Sequence, residues 1–223
     1  MLIAAGAGGC ADESDDFVGD RAEYRPPVDL TEQALLCPPE PSGVFNNASS
    51  PFRWGEEEVR VQVDVAVDYR CPACLHFELL VQRVWASREQ FRKYARLYFH
   101  HLPLEHVHHG TTEIHVAAAA AAEQDLGHFW ALHDIIFDQA TESRQMTREQ
   151  VDRFLEQERG LDMEAYDRAM RSDTVRDFVQ WDKQQIVAAG ATGTPSLFIC
   201  GEKALYWTRV EQLVDEALTG YRL

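Results

Sequence analysis

The chain has 223 residues with 21 basic and 37 acidic side chains, so its net charge is −16 at neutral pH. That charge excludes nucleic acid and anionic membrane surfaces as main partners, because phosphate contacts need Lys and Arg. With 45% apolar and 26% charged residues the chain suits a globular protein with a sizeable core, and no stretch approaches the roughly 18 apolar residues of a membrane-spanning helix.

Residues 1–10 read MLIAAGAGGC and end on small residues before Cys10. Between Asp12 and Glu32 eight acids face only Arg21 and Arg25. Such a run buries too little apolar surface to offset chain entropy, which predicts a disordered acidic tether over 11–50. Cys37-Pro38-Pro39 continues the loop character. The folded domain is expected over 51–223.

Val59, Val61, Val63, Val65 and Val67 alternate with other residues and predict a strand over 59–67. From Cys74 onward Phe77, Leu80, Val81, Val84 and Trp85 recur at helical spacing, and Tyr94 to His100 reads as a second strand. Strand, helix, strand needs a crossover and implies a parallel pair. A helical block follows: Thr112–Asp125 with six alanines, His128–Gln139, Val151–Glu158 behind a Thr147/Gln150 capping box, Asp162–Arg171 and Thr174–Ala189. Ser196 to Cys200 is a short apolar strand, with Gly201-Glu202 as a turn and Ala204 to Trp207 as its hairpin mate. Thr208 and Glu211 resemble a capping box for a last helix over Arg209–Tyr221. The order predicts an α/β fold: a mixed sheet with helices on both faces, interrupted by a helical insertion at about 104–188.

Of the five cysteines, Cys71 and Cys74 form a C-x-x-C where a strand gives way to a helix. Unpaired N–H groups and the positive end of the helix dipole stabilise a thiolate at the first cysteine. Pro72 falls in the first turn, where its missing N–H costs nothing. Such a pair closes a short disulfide, with Cys71 the exposed attacking sulfur and Cys74 the deeper, resolving one. A zinc half-site also uses C-x-x-C, but it needs two further ligands of similar spacing, and no second C-x-x-C is present. Thr194-Pro195 stands at the start of the apolar strand. It reads either as a turn or as a cis peptide that leaves the Thr194 backbone free to pair with an extended substrate.

These elements carry a resemblance. VDYRCPACLHFE at 67–78, FHHLPLEHVHH at 99–109, GHFWALHDIIFDQ at 127–139 and GATGTPSLFICGE at 190–202 are similar to the DsbA-type thiol–disulfide oxidoreductases of the thioredoxin superfamily, in the subfamily with a helical insertion. The resemblance covers about Val59 to Tyr221. It implies a thioredoxin-like sheet, Cys71 as nucleophile, Cys74 as resolving thiol, a Thr194-Pro195 cis-proline loop facing them, and Glu78 as an acid near the buried cysteine. It also implies a redox-active Cys71–Cys74 disulfide in place of any bound cofactor, exported protein substrates, a membrane or soluble redox partner, and the cell envelope or periplasm as the place of work. Two departures matter. Many relatives carry an acid where this chain has Val65, which leaves proton transfer at Cys74 to Glu78 or water. Ala73 stands where strong oxidants of the family carry His, which predicts a less oxidising couple.

Three features fall outside that core. His100, His101, His106, His108, His109 and His115 crowd together after the second strand. They read as a solvated loop or as a transition-metal patch; with the dithiol they define the alternative function, a soft-metal (copper) binding or metal-maturation module. His128 and His133 are expected on helix surfaces. Cys200 is either an inert buried thiol or a structural disulfide with Cys37. Cys10 resembles the lipidated cysteine that ends a bacterial lipoprotein signal, here over 1–10 in truncated form, since the apolar run Leu2–Ala5 is short. A lipid at Cys10 would anchor the protein to a membrane, with the tether giving it reach.

Overall fold

The structure is a computed structural model that describes residues 53–54, 61–139 and 146–219. The predicted signal and tether, with Cys10 and Cys37, lie outside the described residues.

The valine alternation forms β2, Val61–Val67, and the second run forms β3, Ala95–His101. The two are parallel, with Val65 opposite Phe99. Their crossover is α1, Pro72–Ser87, followed by a short α2, Glu89–Tyr94. The second of these was not visible in the pattern, and Tyr94 ends it rather than opening the strand. Six residues are too few to display a helical period. β4, Ser196–Ile199, pairs antiparallel with the other edge of β2. β5, Glu202–Lys203, extends the sheet beyond β4, and β1, Arg53–Trp54, pairs antiparallel with β3. The order across the sheet is β1-β3-β2-β4-β5.

The hairpin differs from the expected one. Cys200 and Gly201 are the two turn residues, with φ of 50° and 83°, so Ile199 pairs with Glu202. A two-residue turn with both φ positive matches the twist of the flanking strands. Trp207, expected in a strand, opens a 3-10 turn, Trp207–Arg209, that contains Thr208 and leads into α8, Val210–Thr219.

Alternation sends the β2 side chains to two different cores. The valines, with Phe99, Leu197 and Ile199, pack with Phe77 and Val81 of α1 and Val214 of α8. On the opposite face Ala66, Leu102 and Phe198 pack against Ile186 of α7, Asp173–Ala188. The helical block stands between β3 and β4 as α3 (Thr111–Ala122), α4 (Leu126–Gln139), α5 (Arg148–Leu155), α6 (Met163–Met170) and α7. Ala117 to Ala121 are buried, small side chains that let neighbouring helices approach α3. The Thr147/Gln150 capping box forms as expected, with both reciprocal bonds present.

The histidines depart most from expectation. His100, His101, His115 and His133 are buried, not solvated. His100 and His101 belong to β3 itself, and alternation splits them between the two faces. On the α7 face His100 lies between Asp182 Oδ1, at 2.8 Å from its Nδ1, and Asp64 Oδ1, at 3.0 Å from its Nε2. Asp182 also accepts the backbone N–H of His101 at 2.6 Å. Burial opposes a charge on His100, but the hydrogen bonds and attraction of Asp182 and Asp64 outweigh it and raise the pKa to about 10. On the other face His101 Nδ1 and His115 Nδ1 are 2.8 Å apart. Burial lowers His101 to about 4 and pushes His115 well below its ordinary value. Both rings are therefore neutral, one donating and one accepting.

Two outcomes follow from these groups. The Asp182→Ala variant leaves a buried imidazolium with one carboxylate and an orphaned N–H; denaturant unfolding should show a loss of about 3 kcal/mol or more, and no loss would refute the pairing. The His101 contribution has the sign of a depressed histidine: it is present above pH 6.5 and lost as pH falls toward about 4. His100 has the opposite sign, its contribution being full below pH 6.5 and lost as pH rises through about 10. Thermal melts should therefore show an acid-side loss that is smaller in His101→Asn than in the wild type.

Candidate active site

The site begins at the C-terminal end of β2. Asp68 is buried, and its carboxylate accepts the N–H of Arg70 at 2.7 Å, the Thr111 hydroxyl at 2.6 Å and the N–H of Leu104 at 2.7 Å. His108 Nδ1 lies 3.1 Å from its second oxygen. The Asp68 carbonyl accepts the N–H of Cys71 at 3.0 Å, and its own N–H donates to Cys74 Sγ at 3.5 Å. One residue thus shapes the turn that carries the sequence from strand to helix. Sequence reasoning saw only a turn here. The signal was present, since an Asp two residues before the turn's next N–H is an Asx-turn pattern.

Cys71 is the N-cap of α1, with extended backbone angles and no side-chain cap, and Pro72 follows in the first turn. The thiol lies where capping hydroxyls usually sit, beside unpaired helix N–H groups. Its Sγ is 3.3 Å from the Thr194 carbonyl oxygen. The Thr194-Pro195 peptide bond is cis. Cys71 is half-buried and Cys74 has no exposure; both are free thiols.

The two sulfurs titrate in opposite directions. The Cys74 thiol hydrogen-bonds the Cys71 thiolate and is the main reason its pKa falls to about 5; Thr194 and the N–H groups of Cys74 and Ala73 add to this against partial burial. Burial pushes Cys74 well above its ordinary value, and the neighbouring Cys71 pushes it further. The pair holds a ready nucleophile and leaving group at the surface and a protonated thiol beneath it.

Glu78 is buried one turn beyond Cys74, with an oxygen 3.3 Å from His133 Nε2. His133 Nδ1 is 3.4 Å from the Tyr69 hydroxyl, and the Tyr69 N–H donates to His115 Nε2 at 3.4 Å. Val65 faces the core that α1 covers, and Asp64 lies on the opposite face, paired with His100. The histidine-rich stretch is neither a solvated loop throughout nor one patch: His100 lies between Asp182 and Asp64, His101 meets His115, His108 meets Asp68, and His106 and His109 are exposed. Among the described residues no three or more His, Cys, Asp or Glu side chains are arranged to hold a metal ion. Cys200 is disulfide-bonded; Cys37, its expected partner, is outside the described residues.

A family model described as Thioredoxin matches residues 47–216. The Na(+)/H(+) antiporter NhaA of Herminiimonas arsenicoxydans is 30% identical over 150 residues, 67% of this chain. The chain spans only 22% of that protein's length, and no helix among the described residues is long and apolar enough to cross a membrane. Oxidised BdbD from Bacillus subtilis superposes with a TM-score of 0.64 at 16% identity, over 74% of this chain and 91% of that one. The thiol-disulfide exchange protein alpha-DsbA2 from Wolbachia pipientis gives 0.60 at 16% identity, over 74% and 86%. A match that takes in the dithiol, the helical insertion and the cis-proline loop makes this chain a member of the thioredoxin family, in the DsbA-type form of its fold.

Proposed function

We propose that the protein is a thiol–disulfide oxidoreductase that exchanges disulfides with exported proteins. The observation that carries this reading is the asymmetric dithiol: Cys71 at the helix start with a pKa of about 5, its sulfur 3.3 Å from the Thr194 carbonyl that precedes the cis proline, over a wholly buried Cys74. In the oxidising direction a substrate thiolate attacks Cys71 of the Cys71–Cys74 disulfide. The Cys71–substrate bond forms, the Cys71–Cys74 bond breaks, and Cys74 leaves and takes up a proton. A second substrate thiolate then attacks the substrate sulfur of the mixed disulfide and releases Cys71 as a thiolate, a good leaving group at so low a pKa. In the reducing direction Cys71 attacks a substrate disulfide and Cys74 resolves the product. The partner couple sets the direction.

Thr194 and Pro195 supply the platform. The Thr194 backbone is positioned to pair with an extended peptide beside the sulfur. Leu205 and Tyr206 are exposed, and the Ala204 N–H bonds the Leu197 carbonyl at 2.8 Å, so the chain past β5 runs back toward Pro195. These apolar side chains suit unfolded, thiol-bearing substrates. A disulfide at Cys200 fits an oxidising compartment such as the cell envelope. A redox partner, soluble or in the membrane, returns the dithiol to its working state, and lipidation at Cys10 would place the protein beside it.

Trapping tests the assignment. Cys74→Ala should accumulate mixed disulfides on Cys71 in cells, visible as reductant-sensitive high-mass species, whereas Cys71→Ser should form none and lose activity toward reduced protein substrates. Unchanged activity in Cys71→Ser would overturn the reading.

A further inference from the structure

One buried polar group beside the dithiol has no part in the exchange steps. The Thr194 hydroxyl oxygen is buried and has no hydrogen-bond partner among the described residues. The Thr194 side chain nevertheless lies close to both sulfurs, since it lowers the pKa of Cys71 and opposes the rise at Cys74. A buried hydroxyl without a partner costs stability, and one retained beside reactive sulfurs points to a catalytic or redox role. Disulfide exchange does not call on it, because the group expelled there is a thiolate, which leaves without a proton. Cleavage of an oxygen–oxygen bond is different. The group expelled is hydroxide or an alkoxide, and the conjugate acid of hydroxide, water, has a pKa of about 15.7, so a proton delivered as the bond breaks speeds the step. A threonine hydroxyl is both donor and acceptor and can deliver one proton while taking another from a neighbour. That neighbour is Cys74, which burial keeps protonated and which also hydrogen-bonds Cys71. Oxidation by a peroxide further requires an accessible thiolate with a resolving cysteine beside it. Cys71 is the half-buried N-cap of α1, its charge held by the N–H groups of Cys74 and Ala73, and Cys74 lies beneath it.

We propose that the protein also reduces hydroperoxides at Cys71, with the Thr194 hydroxyl as proton donor to the departing oxygen, and that the disulfide so formed is passed on to substrate thiols. The inference rests on the dithiol reading proposed above. In the first step the Cys71 thiolate attacks the terminal oxygen of a hydroperoxide, ROOH. The sulfur–oxygen bond forms, the oxygen–oxygen bond breaks, and the electron pair leaves on the second oxygen. Thr194 donates its proton to that oxygen and takes the Cys74 proton in exchange. An alcohol is released, or water when the oxidant is hydrogen peroxide, and the protein holds a Cys71 sulfenic acid and a Cys74 thiolate. In the second step Cys74 attacks the Cys71 sulfur. The sulfur–sulfur bond forms, the sulfur–oxygen bond breaks, and hydroxide leaves and is protonated from solvent. The hydroperoxide gains two electrons, and the two cysteines lose them to become the Cys71–Cys74 disulfide. Exchange with substrate thiols then returns the dithiol, so a hydroperoxide serves as an oxidant that needs no protein partner. Thr194 acts in this reaction through its side chain, whereas the peptide platform uses its backbone.

The test mixes the reduced protein with hydrogen peroxide in a stopped-flow instrument and, in parallel, with dithiobis-nitrobenzoate, whose leaving thiolate needs no proton. Both reactions are run at neutral pH, where Cys71 is ionised. Thr194→Val keeps the branched shape and removes the hydroxyl. It should slow the peroxide reaction by about 100-fold and the nitrobenzoate reaction far less, and Thr194→Ser should restore the peroxide rate. Cys74→Ala should react with peroxide more slowly than the wild type and stop at the sulfenic acid, read by intact mass as a dimedone adduct; the wild type should pass to the disulfide and trap none. This arm, with the wild-type rate compared against dithiothreitol thiolate, carries the test should Thr194→Val fail to fold. Equal losses with the two reagents in Thr194→Val, a Cys74→Ala peroxide rate equal to the wild type, or a wild-type rate no faster than that of dithiothreitol thiolate would overturn the proposal. Failure of the wild type to close the Cys71–Cys74 disulfide with dithiobis-nitrobenzoate would instead overturn the dithiol reading itself.

Discussion

The Asp68 carboxylate accepts bonds from Arg70, Leu104 and Thr111 and contacts His108, and so joins the end of β2, the loop after β3 and the first turn of α3. A buried carboxylate costs several kcal/mol unless it is fully bonded. The turn before Cys71 is therefore stable only when all of those segments are in place. That turn fixes the Cys71 N–H and aims another N–H at Cys74. The helical insertion is thus not an appendage to the thiol site: through Asp68 it holds the turn that carries Cys71 into α1.

The same economy appears on both sides of the sheet. On the α7 face the charge on Asp182 holds His100 and the His101 N–H, tying the last helix of the insertion to the central strands. On the α1 face Tyr69, His115 and His133 link the turn before the dithiol to α3 and α4. Buried polar groups of this density contribute little net stability compared with apolar packing. Their effect is to fix one arrangement of insertion against sheet, with the cis-proline loop held opposite Cys71.

The fold was largely legible because its signals are local and strong. The alternation at Val61–Val67, the capping box at Thr147 and the helix periodicities each specify an element without reference to the rest. The dithiol and Thr194-Pro195 were legible because their chemistry requires those residue types at a strand–helix junction and a strand start. The hairpin boundary was missed because a Cys with positive φ is an uncommon turn residue, and pattern reading assigned the turn one residue late. The histidines were misread because their surroundings are set by tertiary contacts. Nothing near His100 in sequence announces Asp182, and nothing near Glu78 announces His133. Ala73 shows a similar limit. It removes one partner for the thiolate, yet the helix start, Thr194 and Cys74 still hold Cys71 near 5.

The account depends on that ionisation, and ultraviolet titration of the thiolate in the reduced protein measures it directly. The wild type should show a single thiolate with a midpoint near 5, absent in Cys71→Ser. A midpoint near the ordinary value of 9.0 would contradict the account at its centre.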